Sequence, residues 1–224
     1  MEGLEKDCNV TKKEETKTSI ETEQQENLNY IVWKRRELYG GAISIVLPHD
    51  WRDVSVVRQI PDFQEVYQDF SSSSRERSLV VEILQREDTV KDADAAAYFL
   101  KDLVEKEGDE AKLLLQNVWS VGTSSENNNN DDDTTEKMII HMSSLSISAK
   151  ASTCISKIIT PSSTHPKTKI ELCVLRLVPV ETDLLIMLNS SYEPKKLESQ
   201  KQQHSKLFQS IVNSFQIHDW SLFV

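Results

Sequence analysis

Basic side chains are in short supply in this chain. Its 224 residues carry 26 Lys and Arg against 36 Asp and Glu, for a formal net charge of -10. That balance disfavours nonspecific binding to nucleic acid or to anionic lipid, since both require a cationic surface. Cysteine is scarcer still, with only Cys8, Cys154 and Cys173. An odd count with no paired spacing provides neither a disulfide framework nor a metal-ligand motif, and it points to a reducing compartment. No apolar run approaches the roughly 18 to 20 residues that a membrane helix requires. Met1 to Glu26 lacks the apolar centre of a secretory signal. There are only five glycines, so the adjacent pair Gly40-Gly41 marks a tight backbone feature.

Hydrophobic residues make up 38% of the chain and the mean hydropathy is -0.46, low values for a compact domain. The deficit is local. Residues 1–36 are rich in Glu, Lys, Thr and Gln and read as a polar tail, with transient helix between Thr11 and Glu26. The run Ser124 to Asp133, with its four asparagines and three aspartates, buries nothing and reads as an exposed insertion. Residues 37–224 then form one domain with exposed loops at about 123–136 and 160–168. Within the tail, Lys34-Arg35-Arg36 beside Trp33 reads as a solvated turn in preference to a weak nuclear-import signal.

The rest has clear periodicity. Gly41 to Leu47 predicts a strand ended by Pro48. Asp50 to Arg58 predicts one short helical turn capped by Asp50 or Asp53. Gln64 to Gln68 and Ser78 to Leu84 predict a hairpin. In Asp92 to Lys106 the residues Ala96, Phe99, Leu100, Leu103 and Val104 share one helical face. Ala111 to Val121 and Met138 to Ile159 read as strands, and Lys169 to Val178 with Asp183 to Leu188 as a hairpin. Lys196 to Phe215 predicts a final helix with Leu197, His204, Phe208, Ile211 and Phe215 along its seam. Five to seven mostly sequential strands and two long helices define an α+β fold: a single domain in which helices flank an antiparallel sheet.

The chemistry-bearing stretch follows the glycine pair. Asp53, Asp62 and Glu65 lie among apolar anchors, and an acidic loop on a rigid base suits a cationic target such as a magnesium site or a lysine-lined phosphate pocket. Each residue also has a plainer reading. Asp53 caps a helical turn, Asp62 caps the turn after Pro61, and Glu65 faces solvent. Arg58 shapes the loop by pairing with Asp62, or else reaches an acidic patch on a partner. Trp51 and Phe63 read equally as exposed anchors or as lids on the domain's own core. The five histidines are scattered, and Ser71 to Ser74 has no elbow glycines around it. Asp131 to Asp133 lacks calcium-loop spacing. No cofactor or metal is expected.

Several segments together resemble a known family. They are Leu38-Tyr39-Gly40-Gly41-Ala42, Asp53-Val54-Ser55, Arg58 with Ile60-Pro61-Asp62-Phe63-Gln64-Glu65-Val66, Ser78 to Leu84, Leu175-Arg176-Leu177, Thr182 to Leu185, and the closing Asp219-Trp220-Ser221-Leu222-Phe223. In order and spacing they are similar to the Ran guanine nucleotide release factor family, also called the Mog family. The resemblance implies a PsbP-like fold and a nuclear protein, partly cytoplasmic, that binds the small GTPase Ran and promotes release of its nucleotide. It maps an acidic release loop onto Asp53, Asp62 and Glu65, with Arg58 and Phe63 beside them at the partner surface. Such a protein is a regulator without chemistry of its own, monomeric when alone. The alternative from the same residues is a Ran-binding adaptor that leaves nucleotide affinity unchanged. An enzymatic site under the final helix ranks below both, since no nucleophile-base set supports it.

Overall fold

The computed structural model describes residues 31–71, 77–106, 110–121, 149–159, 168–191 and 206–223. The polar segment up to residue 30, both loop insertions, His204 and the first turns of the expected final helix lie outside the described residues. Ten strands and two α-helices are described. β1 (Trp33–Leu38), β2 (Ile43–Pro48) and β10 (Gln216–Ile217) form a small antiparallel sheet in the order β1-β2-β10. The larger sheet comprises β3 (Trp51–Asp53), β4 (Gln64–Asp69), β5 (Ser78–Gln85), β6 (Glu110–Val121), β7 (Ala149–Ile159), β8 (Thr168–Leu177) and β9 (Thr182–Ser191). Its order is β3-β4-β5-β9-β8-β7-β6, and every pairing is antiparallel.

The α+β antiparallel class is as expected from the sequence, but the strands divide between two sheets. The chain leaves the small sheet at Pro48, crosses His49-Asp50, and enters the large one at Trp51. The folded region also starts earlier than the composition suggests. Trp33 to Arg36, placed in the tail by their polarity, pair with Pro48 to Ile45 of β2. Lys34 and Arg35 are exposed, so the stretch looks unstructured while its backbone pairs with β2 along one side. Lys34-Arg35-Arg36 is therefore strand and not a turn.

Strand alternation builds two cores on opposite faces of the large sheet. One face carries Leu79, Val81, Cys173, Leu175, Leu184 and Ile186. It packs against Leu38, Ile43, Ile45 and Leu47 of the small sheet and against α2 (Lys206–Asn213). In α2, Phe208, Ile211 and Val212 are buried at spacings of three and four, as one helical face requires. The Ser214 hydroxyl stops this helix by donating to the Ile211 carbonyl at 2.6 Å, and it accepts the Val46 amide at 2.8 Å. The opposite face carries Ile170, Leu172, Val174, Leu185 and Met187 beneath α1 (Ala95–Lys106), where Ala95, Ala96 and Leu100 are buried. Asp92 and Asp94 precede α1 in a 3-10 turn, placing negative charge at the helix's positive end. Cys173 is a free thiol inside the core.

One polar pair sits within the α1 face. Arg176 and Asp183 are cross-strand partners of the β8-β9 hairpin and both are fully buried. Arg176 Nε donates to Asp183 Oδ1 at 2.9 Å, and the rest of the guanidinium donates to the carbonyls of Glu87 and Val90 and to Asp92 Oδ1. A charge buried this deeply is tolerable only because these acceptors replace water. The consequence is that the chain between β5 and α1 is fastened to the hairpin.

Candidate functional site

The site grows from the connection between β1 and β2. Tyr39, Gly40 and Gly41 have φ of 49°, 65° and 96°, a left-handed run that glycine adopts freely and tyrosine rarely. The turn aims both ends of Tyr39 at β4 and β5. The Tyr39 amide donates to Glu65 Oε1 at 2.7 Å. The Tyr39 hydroxyl lies 3.1 Å from the Phe63 carbonyl and 2.9 Å from that of Val81. Burial, and secondarily the charges of Glu65 and Glu82, push the Tyr39 phenol well above its usual range, so it remains a donor.

Glu65 is half-buried at the rim of the core. Burial raises its carboxyl pKa, the Tyr39 amide opposes the rise, and the negative charge of Asp53 adds to it. Register explains that coupling. Asp53 lies opposite Tyr67, and Glu65 stands two residues before Tyr67 on the same strand face. The Tyr67 phenol is pushed up to about 12 by burial and then by Asp53 and Glu65, against the pull of Arg36. On the other strand face Gln64 Nε2 donates to Glu82 Oε1 at 3.0 Å.

The loop between β3 and β4 is pinned at its base. The Val54 amide donates to the Val66 carbonyl at 2.8 Å, and the amides of Val57 and Arg58 donate to the Val54 carbonyl at 2.9 and 3.1 Å. The helical turn expected over Asp50 to Arg58 does not form over that span: Trp51–Asp53 is strand β3, and only Val54 to Arg58 makes a turn, with Asp53 Oδ1 accepting the Ser55 amide at 2.7 Å at its start. Asp62 occupies a turn closed by the Gln64 amide on the Pro61 carbonyl at 2.9 Å, so backbone and not the Asp62 carboxylate holds it. Asp62 is exposed.

The expected Arg58–Asp62 pairing is absent, and Arg58 is exposed. Among the described residues no ion pair joins Asp53, Asp62 or Glu65 to a basic side chain. Asp53 and Glu65 thus stand on the same side of β3 and β4 around Tyr67, and Asp62 stands in the turn that leads into β4, none of them in an ion pair. The two aromatic residues part company: Trp51 is a core residue, whereas Phe63 is 48% exposed. Glu65 does not face solvent freely, and of the three acids expected on one loop only Asp62 is there: Asp53 ends β3 and Glu65 lies in β4. Sequence reasoning missed Tyr39 as the residue that fixes it. The available signal was an aromatic directly before the glycine pair. Among the described residues no group of three or more His, Cys, Asp or Glu is arranged to hold a metal ion. None of the helices is long and apolar enough to cross a membrane, among the described residues.

Fold and site together define a layered α+β domain with an unneutralised acidic edge held on strand ends, an arrangement suited to binding. The family model described as Ran-interacting Mog1 protein matches residues 36–191, and the chain belongs to that family. It is similar to the Ran guanine nucleotide release factor of Danio rerio, with 46% identity over 68 residues, 30% of this chain and 36% of that protein. The human protein of the same name is 30% identical over 200 residues, 83% of this chain and 94% of the relative. The crystal structure of the Saccharomyces cerevisiae Ran-binding protein Mog1p superposes with a TM-score of 0.62 at 23% identity. That superposition covers 87% of this chain and all of the yeast chain, and it establishes a shared fold.

Proposed function

We propose that this chain binds the small GTPase Ran and promotes release of its guanine nucleotide, in support of protein transport between nucleus and cytoplasm. Its place of action is the nucleus, with a share in the cytoplasm. The observation that carries this reading is that Asp53, Asp62 and Glu65, in and between β3 and β4, form no ion pair among the described residues, in a family described as Ran-interacting.

A GTPase holds its nucleotide through a phosphate-cradling loop, a lysine and a magnesium ion. Carboxylates brought to that region repel the phosphates and compete for the cations. Binding of this protein and binding of nucleotide then weaken each other by the same factor. Charge-assisted contacts that become buried cost on the order of 2 to 5 kcal/mol each when truncated, so a few of them offset a substantial part of nucleotide affinity. Release is accelerated only through a ternary complex that forms before the nucleotide leaves. The protein itself makes and breaks no covalent bond.

The test is thermodynamic. Affinity for Ran is measured by calorimetry with Ran nucleotide-free and nucleotide-loaded. The release reading requires markedly tighter binding to nucleotide-free Ran and a matching loss of nucleotide affinity in the presence of this chain. Equal affinity for both forms makes the protein an adaptor.

A further inference from the structure

Six large hydrophobic side chains are exposed among the described residues, and three of them, Val56, Val57 and Phe63, fall within the single loop between β3 and β4. Val56 is 81% exposed and Val57 75%. Scattered surface valines are ordinary, but these two are adjacent on a turn that has no freedom to hide them. Its backbone is pinned by the three amide-to-carbonyl bonds centred on Val54, and the Val54 side chain is buried beneath it. The Ser55 amide is tied to Asp53 Oδ1. The two valines are therefore displayed on a rigid, pre-ordered prong, which lowers the entropy cost of using them in an interface.

The surroundings identify the occupant. Asp53 precedes the prong by three residues, Asp62 precedes Phe63 directly, and neither has a basic partner among the described residues. With acids outside any ion pair at Asp53 and Asp62 and a single exposed cation, Arg58, after Val57, this apolar centre complements an apolar patch bordered by cations and disfavours anionic surfaces, including a second copy of this chain at a net charge of -10. We propose that Val56 and Val57 form the apolar anchor of the same GTPase contact whose charged part is Asp53, Asp62 and Glu65. This rests on the Ran-binding reading. It adds an apolar, salt-insensitive share of the affinity and leaves nucleotide antagonism to the acids.

The full chain carrying Val56→Ser and Val57→Ser is titrated against nucleotide-free Ran at low and high salt, beside wild type and a Val32→Ser control. Val32 is 68% exposed directly before β1 and outside the loop. The expected result is affinity reduced about tenfold or more. The loss should be the same at both salt concentrations, because apolar contact is not screened as charge pairs are. Thermal midpoints should match wild type, since both valines are solvated in the free protein. Unchanged affinity in the double variant, or an equal loss with Val32→Ser, overturns the proposal while leaving Ran binding intact. So does a variant that changes only the self-association of the free protein in sedimentation. If wild type itself does not bind Ran, the functional reading fails and this inference fails with it.

Discussion

The backbone amide of Tyr39 donates to the Glu65 carboxylate at 2.7 Å across 26 positions of sequence. This bond joins the left-handed turn after β1 to the acidic end of β4. It orients a carboxylate that would otherwise swing free, and the Tyr39 hydroxyl holds the strand beneath it through Phe63 and Val81. The turn is thus joined to the acidic end of β4 through Tyr39 alone.

Tyr39→Phe removes the hydroxyl but leaves the amide bond to Glu65. The Phe63 and Val81 carbonyls then lose a shared donor, at a cost of about 1 to 2 kcal/mol in stability. Urea denaturation measures this. Ran affinity should fall in parallel, because the backbone at Phe63 loses its tether.

Glu65→Gln separates stability from function. The folded protein raises the Glu65 pKa, chiefly by burial. Its ionisation therefore opposes folding, and the penalty appears as pH rises through the folded-state value. The glutamine keeps an oxygen for the Tyr39 amide and carries no charge. At pH 7 the variant should be as stable as wild type or more so, with this advantage gone below the ordinary glutamate range. Its affinity for Ran should nonetheless drop. In wild type the contact should weaken as pH falls through the raised Glu65 value, and the variant should lack that component. Thermal unfolding and calorimetric titration between pH 4 and 8 (roughly the span bracketing the shift) supply both readings.

Asp69 behaves in the opposite sense. Burial pushes its pKa up, but hydrogen bonds from Ser71 and the Arg77 guanidinium outweigh that and hold it below the usual range. Its contribution to stability is present above the unfolded-state pKa and is lost as pH falls through the folded value. Asp69→Asn should flatten the acid limb of the stability profile in chemical denaturation.

Arg176→Met should be the most damaging of these substitutions. It leaves Asp183 buried without its cation and the Glu87 and Val90 carbonyls without a donor. Removing one partner of a buried pair costs about 3 to 5 kcal/mol. The folded fraction should still bind Ran with wild-type affinity, since the pair lies on the α1 face of the sheet, away from the acidic edge. Denaturation midpoints and titration with an active-fraction correction check the two halves of this prediction.

Some of this architecture is legible in the residue pattern. The β8-β9 hairpin is written in the apolar runs Leu172 to Leu175 and Leu184 to Leu188 on either side of Pro179, because both of its faces are covered. α1 is legible in its spacing of three and four. β1 is not, since Lys34, Arg35 and Glu37 point to solvent and only backbone pairing reveals the strand. The division into two sheets is equally hidden, because it depends on the two-residue step at His49-Asp50 and on a β3 of three residues. At the site, the spacing of Asp53, Asp62 and Glu65 marks an acidic cluster. The tether on Glu65 and the missing Arg58–Asp62 pair are long-range or conformational facts that local sequence does not encode.

If the acids around β3 and β4 antagonise nucleotide binding, the rate of fluorescent guanine nucleotide release from Ran depends on them. Release is followed with wild type, Asp62→Ala and Glu65→Gln, each verified as folded, at saturating protein so that affinity is removed from the comparison. The account predicts rapid release with wild type and release near the intrinsic rate with both variants. Wild-type rates from both folded variants would contradict it.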